Sequence, residues 1–205
     1  EQKFSNLKEA ILLGLENKRM GQAYGRAGYY SSLFWLQNQF EDDDFIKAIQ
    51  PLTLEDLHKY ERSLYGKIFI TGVVYGNWTD EKINESIAIL LAELKGQPLP
   101  ETERFKQIIT VLPDGESVQF SPKVEDDNNA ILYTLQAGPR ELTRGARILM
   151  VSSLIESEFF TQMRTNQQLG YIVHAHPERI ENRLFFRFII QSASYGPFEL
   201  NRRIE

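Results

Sequence analysis

The 205-residue sequence predicts an α+β fold, with antiparallel sheets packed against helices. Three observations carry that expectation. Helical periodicity dominates the first hundred residues, short β-branched and aromatic runs bounded by turn signals follow, and the later strands are spaced as local hairpins.

Phe4, Leu7, Ile11, Leu12 and Leu15 mark one face of a first helix running to about Lys18. A second helix is predicted from about Gln22 to Phe40, although Gly25 and Gly28 each cost it about 1 kcal/mol of propensity against alanine. The acidic run Glu41–Asp44 caps a short helix through Ile49, since carboxylates are favoured at the positive end of a helix dipole. Thr53 and Asp56 then read as a capping-box variant opening a helix to Leu64. Ile68 to Gly76 reads as a buried strand, and Thr79 to Leu94 as the helix after it. Lys95 to Pro100 carries the Gly/Pro punctuation of a linker.

Short strands are predicted beyond the linker at Phe105–Leu112 and Glu116–Phe120, joined by a turn at Pro113-Asp114-Gly115. Another strand spans Ala130 to Gln136, and a helix spans Leu142 to Ile155. A further helical stretch through Met163 follows, then a strand from Tyr171, a turn around Pro177 and a strand at Leu184 with Asn182-Arg183 at the far end of the hairpin. The expected division is 1–96, a linker at 97–104, and 105–205. Both ends read as if they belong to a longer polypeptide, the last residues looking like a helix just begun.

Composition excludes several classes. The net charge of −5 is mild and no basic stripe interleaves with aromatics, so nucleic acid is not an expected partner. No apolar run is long enough to span a membrane, and no membrane partner is expected. The sequence has no cysteine, which leaves neither a disulfide framework nor a thiolate metal site.

The most informative stretch is Phe159 to Val173. Phe159, Phe160 and Met163 recur at helical spacing, and Gly170 is placed to end the helix in a left-handed cap. Tyr171-Ile172-Val173 then suits a strand. Arg164 and Tyr171 therefore flank one tight corner and could offer two hydrogen-bond donors to a carbonyl. From composition alone they would read as a surface arginine and a core tyrosine.

The string Arg164-Thr165-Asn166-Gln167-Gln168-Leu169-Gly170-Tyr171 closely resembles the C-terminal-half signature of the insulinase/pitrilysin zinc metallopeptidases. Asn129-Ala130 with Tyr133 and Gln136, and the run Phe185 to Ser192, resemble the family's flanking strands. The resemblance implies the end of a third homologous domain at 1–96 and the start of a fourth at 105–205. It implies a half that closes a chamber around peptide substrate and docks on an N-terminal catalytic half. Arg164 and Tyr171 would be the catalytic and substrate-binding residues contributed here, as donors to the scissile carbonyl. The alternative it leaves open is an inactive partner or scaffold subunit of a processing-peptidase-like complex. Relatives point to the periplasm for a bacterial protein, or else to the cytoplasm.

The family's zinc chemistry needs an H-x-x-E-H motif, in which two histidines bind metal and the glutamate acts on the bound water. The three histidines here, His58, His174 and His176, form no such motif. Zinc is expected in the full-length enzyme outside this chain, with no metal bound by the chain itself and no peptidase activity from it alone. His58 reads as a surface or boundary residue. His174 and His176 share one strand face and could ligate weakly, but Glu178 is the sole third candidate and a solvated strand end is the expected role. Asp126–Asn129 lacks the ligand spacing of a calcium loop. The aromatic run Tyr24, Tyr29, Tyr30, Phe34 and Trp35 is expected to pack a core.

Overall fold

A computed structural model describes residues 1–122 and 126–205. The chain separates into two compact units, one comprising 1–13 with 43–106 and the other 14–42 with 107–205. The predicted α+β class is what the structure shows.

Helix α1 spans Gln2–Lys18. The first unit then holds most of α3 (Asp42–Ile49), followed by α4 (Leu54–Leu64) and α5 (Asp80–Leu94), with β1 (Lys67–Ile68) paired in parallel to β2 (Gln97–Pro98). Helix α4 begins with the capping box expected of Thr53 and Asp56: the Asp56 amide donates to Thr53 Oγ1, and the Thr53 amide donates to the Asp56 carboxylate at 3.0 Å. The Thr53 hydroxyl, donating to the same carboxylate at 2.6 Å, and the Thr53 amide together hold the Asp56 carboxyl below its usual pKa. Lys8 ties α1 to the end of α3 by donating to the carbonyls of Gln50 and Leu52.

The expected strand Ile68–Gly76 is corrected. Only Lys67 and Ile68 join a ladder, and Val73 and Tyr75 are 95% and 98% exposed. The run has strand propensity, but a strand needs a neighbour to take its backbone donors and acceptors, and the described residues supply none beyond β2.

The second unit is built on a three-stranded antiparallel sheet in the order β3 (Asn129–Pro139), β5 (Arg183–Ser192), β4 (Ile172–Ile180). One face packs on α6 (Leu142–Phe160) and α7 (Pro197–Ile204). Its core joins Phe159, Met163, Leu169, Val173, Phe186, Ile190 and Leu200, with the Phe159 and Phe188 rings 5.0 Å apart. Alternation along β5 sends the next residues to the opposite face, under α2 (Ala23–Trp35). There Trp35 packs on Phe185 at 4.7 Å, Gln191 accepts from the Tyr24 amide, and Arg187 pairs with Glu178 while donating to Ser31. Burial lowers the Arg187 guanidinium from its usual pKa, and Glu178 offsets only part of that fall.

Helix α2 ends at Trp35 rather than near Phe40. The segments Phe105–Leu112 and Glu116–Phe120 are not strands: beyond one bridge between Leu36 and Ile109, they run as irregular extended chain. The Gln136 side chain holds this segment in place of a neighbouring strand, accepting from the Leu112 amide and donating to its carbonyl. No turn forms at Pro177, which lies inside β4 opposite Phe186. Proline is tolerated because β4 is an edge strand, where a missing N–H need not break the ladder. At Gly138 (φ +103°) a bulge shifts the β3 register, and the Arg144 guanidinium fills the space a Cβ would need.

The expected left-handed cap at Gly170 is also corrected. Helix α6 continues into a π-helical turn over Thr161–Asn166, closed by the Gln167 amide on the Gln162 carbonyl. The residue with left-handed backbone is Gln168 (φ 52°), and the Leu169 amide reaches back to the Met163 carbonyl at 2.9 Å. Gly170 is required for another reason. A Cβ there would collide with the Gln191 carbonyl group, 2.8 Å from its carbon and 3.3 Å from the Ser192 Cα. Helix α7 braces the same turn, because Arg203 donates to Gln167 at 3.0 Å while held by Glu199 at 2.7 Å.

Two outcomes follow from this packing. Gly170→Ala should lower unfolding free energy by roughly 2 kcal/mol or more, the scale of overpacking at a rigid backbone contact, read by urea denaturation. An unchanged midpoint and slope would show that β5 can move away. Hydrogen bonds from Arg202 and Arg203 hold the Glu199 carboxyl at a pKa of about 2 against a reference of 4.5. A carboxyl depressed on folding contributes stability above the unfolded value, and that contribution is lost as pH falls from about 4.5 through about 2. Carboxyl-carbon NMR titration of Glu199 should place its midpoint in the low range; a midpoint near 4.5 would mean the two arginines do not hold it in solution.

Candidate functional site

The corner between the π-turn and β4 brings the two predicted site residues into direct contact. Arg164 projects from the turn, half-buried, and Tyr171 stands immediately before β4, 77% exposed. The guanidinium carbon of Arg164 lies over the Tyr171 ring at 4.6 Å from its centroid. It also lies over the Phe160 ring at 5.1 Å. Among the described residues, no hydrogen bond or ion pair engages the Arg164 guanidinium or the Tyr171 hydroxyl. The site is therefore a cation seated on aromatic faces, with its N–H donors and a neighbouring phenol unspent.

The local sequence explains the arrangement. Met163 and Leu169 bury themselves in the core on either side of the turn, so the backbone carrying Arg164 is pinned from beneath. The polar face of the turn is laced separately: Gln162 donates to Glu158 at 2.8 Å and Asn166 donates to Gln162 at 3.1 Å. These bonds leave Arg164 out of the polar network. Beside the corner lies a groove between α6 and β4, lined by Ser153, Glu156, Ser157, Phe160 and His174.

Phe160 is the site residue that reading the sequence assigned to the apolar helix face. Its neighbour Phe159 takes the core position, 7% exposed, while Phe160 remains 37% exposed against Arg164. The i, i+4 spacing of Phe160 and Arg164 was the available signal.

The described residues do not fit a zinc ion: no three of His, Cys, Asp or Glu converge among them. His174 and His176 are exposed on one side of β4, as alternation requires. Glu178 is committed to Arg187, which removes the remaining third-ligand candidate. His58 lies on the surface of α4 with its Nδ1 3.3 Å from Glu61. Asp126 accepts from the amide and side chain of Asn128, a local turn rather than a spaced ligand set. No helix of the described chain is long and apolar enough to cross a membrane.

Residues 150–205 match the family described as PQQ synthase PqqF-like, C-terminal lobe domain 4. A nardilysin-like protein of Arabidopsis thaliana is 26% identical over 210 residues, covering all of this chain and 20% of the relative. Human insulin-degrading enzyme is 27% identical over 212 residues, with the same coverages. A Schizosaccharomyces pombe relative carries a zinc-protease name. The crystal structure of pitrilysin superposes with a TM-score of 0.78 at 22% identity, covering 98% of this chain and 22% of that one, and shows the shared fold. The chain thus spans about a fifth of the length of the curated relatives it matches. With the signature, the fold and the lobe match in agreement, the chain is homologous to the C-terminal domains of insulinase-family zinc peptidases.

Proposed function

We propose that this chain belongs to the non-catalytic half of a zinc endopeptidase, where it helps close a chamber on peptide substrate and presents Arg164 and Tyr171 to the scissile carbonyl. One observation carries the reading. Arg164 rests on the Tyr171 ring at 4.6 Å, and neither its N–H groups nor the Tyr171 hydroxyl is engaged by another described residue. Donors held in place before substrate arrives need no reorganisation as negative charge grows on the carbonyl oxygen, and such donors are among the larger catalytic terms.

The division of labour is part of the same reading. The described residues offer no zinc site, so the metal and the activated water belong to an N-terminal catalytic half of the same protein. This chain contributes binding and charge stabilisation only. Residues 1–96 close a third homologous domain and 105–205 open a fourth, across a linker at 97–104; the lobe-domain match over 150–205 supports the second assignment. An inactive scaffold subunit has no chemical need for two adjacent free donors, which favours the peptidase reading over that alternative.

Two measurements test it. In the full-length protein, Arg164→Ala or Tyr171→Phe should lower kcat by roughly a hundredfold, on the order of 3 kcal/mol, with zinc content unchanged by atomic absorption. Undiminished turnover in both variants would remove the assigned role. The 205-residue chain alone should bind no stoichiometric zinc and cleave no peptide, and zinc-dependent cleavage by pure chain would overturn the division of labour.

A further inference from the structure

We infer that Phe160 is a positioning residue that holds Arg164 in its donor geometry, an inference that rests on the reading of Arg164 as a carbonyl donor. An arginine on a surface turn has many rotamers, and ordering one costs side-chain entropy. The usual partner for fixing it is a carboxylate, but a carboxylate would take up the N–H donors and offset the charge. No carboxylate is paired with Arg164 among the described residues. Two rings hold it instead, Tyr171 at 4.6 Å and Phe160 at 5.1 Å. A ring face attracts the cation without consuming a single hydrogen bond.

The two rings do not have equal freedom. Tyr171 is 77% exposed and lies in the bend before β4, so by itself it is a weakly anchored platform. Phe160 is the last residue of α6, one position from the buried Phe159, and is 37% exposed. It is thus anchored by the helix while its ring remains within reach of Arg164. The chain then leaves α-helical geometry over Thr161–Asn166, and Met163 is buried beneath the turn. Phe160 provides the helix-anchored wall of the clamp and Tyr171 its exposed wall.

Phe160 also borders the groove between α6 and β4, so a direct contact with peptide is the competing role. The two roles separate in kinetics and in spectroscopy. In the 205-residue chain, NMR of the Arg164 Hδ and Hε protons should show ring-current shielding that falls in Phe160→Leu and persists in Phe160→Trp. In the full-length protein, Phe160→Leu should lower kcat about two- to fivefold, the rate equivalent of a partly exposed cation–π contact, with KM unchanged. Phe160→Trp should restore it, and Phe160→Leu should add nothing in an Arg164→Ala background. Arg164 shifts indifferent to Phe160→Leu would overturn the inference, and so would a raised KM with kcat intact. If Arg164→Ala alone leaves turnover unchanged, the donor reading fails, while the NMR arm still decides whether Phe160 holds Arg164.

Discussion

The candidate site depends on one backbone contact: the approach of Gly170 to the Gln191–Ser192 peptide of β5. Because no Cβ intervenes, the chain leaving the π-turn can press against the central strand and enter β4 immediately. That entry sets where Tyr171 stands, and the turn before it sets where Arg164 stands. A Cβ at 170 would collide with the Gln191–Ser192 peptide, so the corner or β5 would have to shift. The core beneath the corner, from Met163 and Leu169 to Val173 and Ile190, makes the contact rigid rather than incidental.

Above that contact, electrostatics are arranged by omission. The acidic and amide groups nearby bond to one another, with Gln162 on Glu158, Asn166 on Gln162, and Arg203 between Gln167 and Glu199. On the far face of the sheet, Glu178 is absorbed by Arg187. Arg164 is thus left with aromatic neighbours and with donors that no described residue takes up. The brace from α7 joins this economy to the rest of the second unit, since Leu200 is fully buried while Arg203, on the same helix, reaches the turn.

Much of this was legible in the sequence, and the failures share a cause. The capping box at Thr53, the helices through Lys18, Ile49, Leu64 and Leu94, and the strands at Ala130, Tyr171 and Leu184 follow from local chemistry, and they appear close to where local chemistry puts them. The misread segments are those whose state depends on a neighbour. Ile68–Gly76 has the composition of a strand but beyond Ile68 finds no ladder partner among the described residues, and Phe105–Leu112 is held by a glutamine side chain and the end of α2. Pro177 reads as a turn until its place on an edge strand is known.

The sequence by itself determined the α+β class, the homology carried by the string Arg164 to Tyr171, and the lack of an H-x-x-E-H motif, because each resides in residue identity and short-range spacing. Tertiary structure alone decided why Gly170 is glycine, that Phe160 faces Arg164 while Phe159 enters the core, and that the cation rests on two rings with its donors free. Those facts depend on β5 passing behind the corner and on burial choosing between adjacent phenylalanines. Neither the passage of a strand nor the choice of a buried face is encoded in any one local stretch.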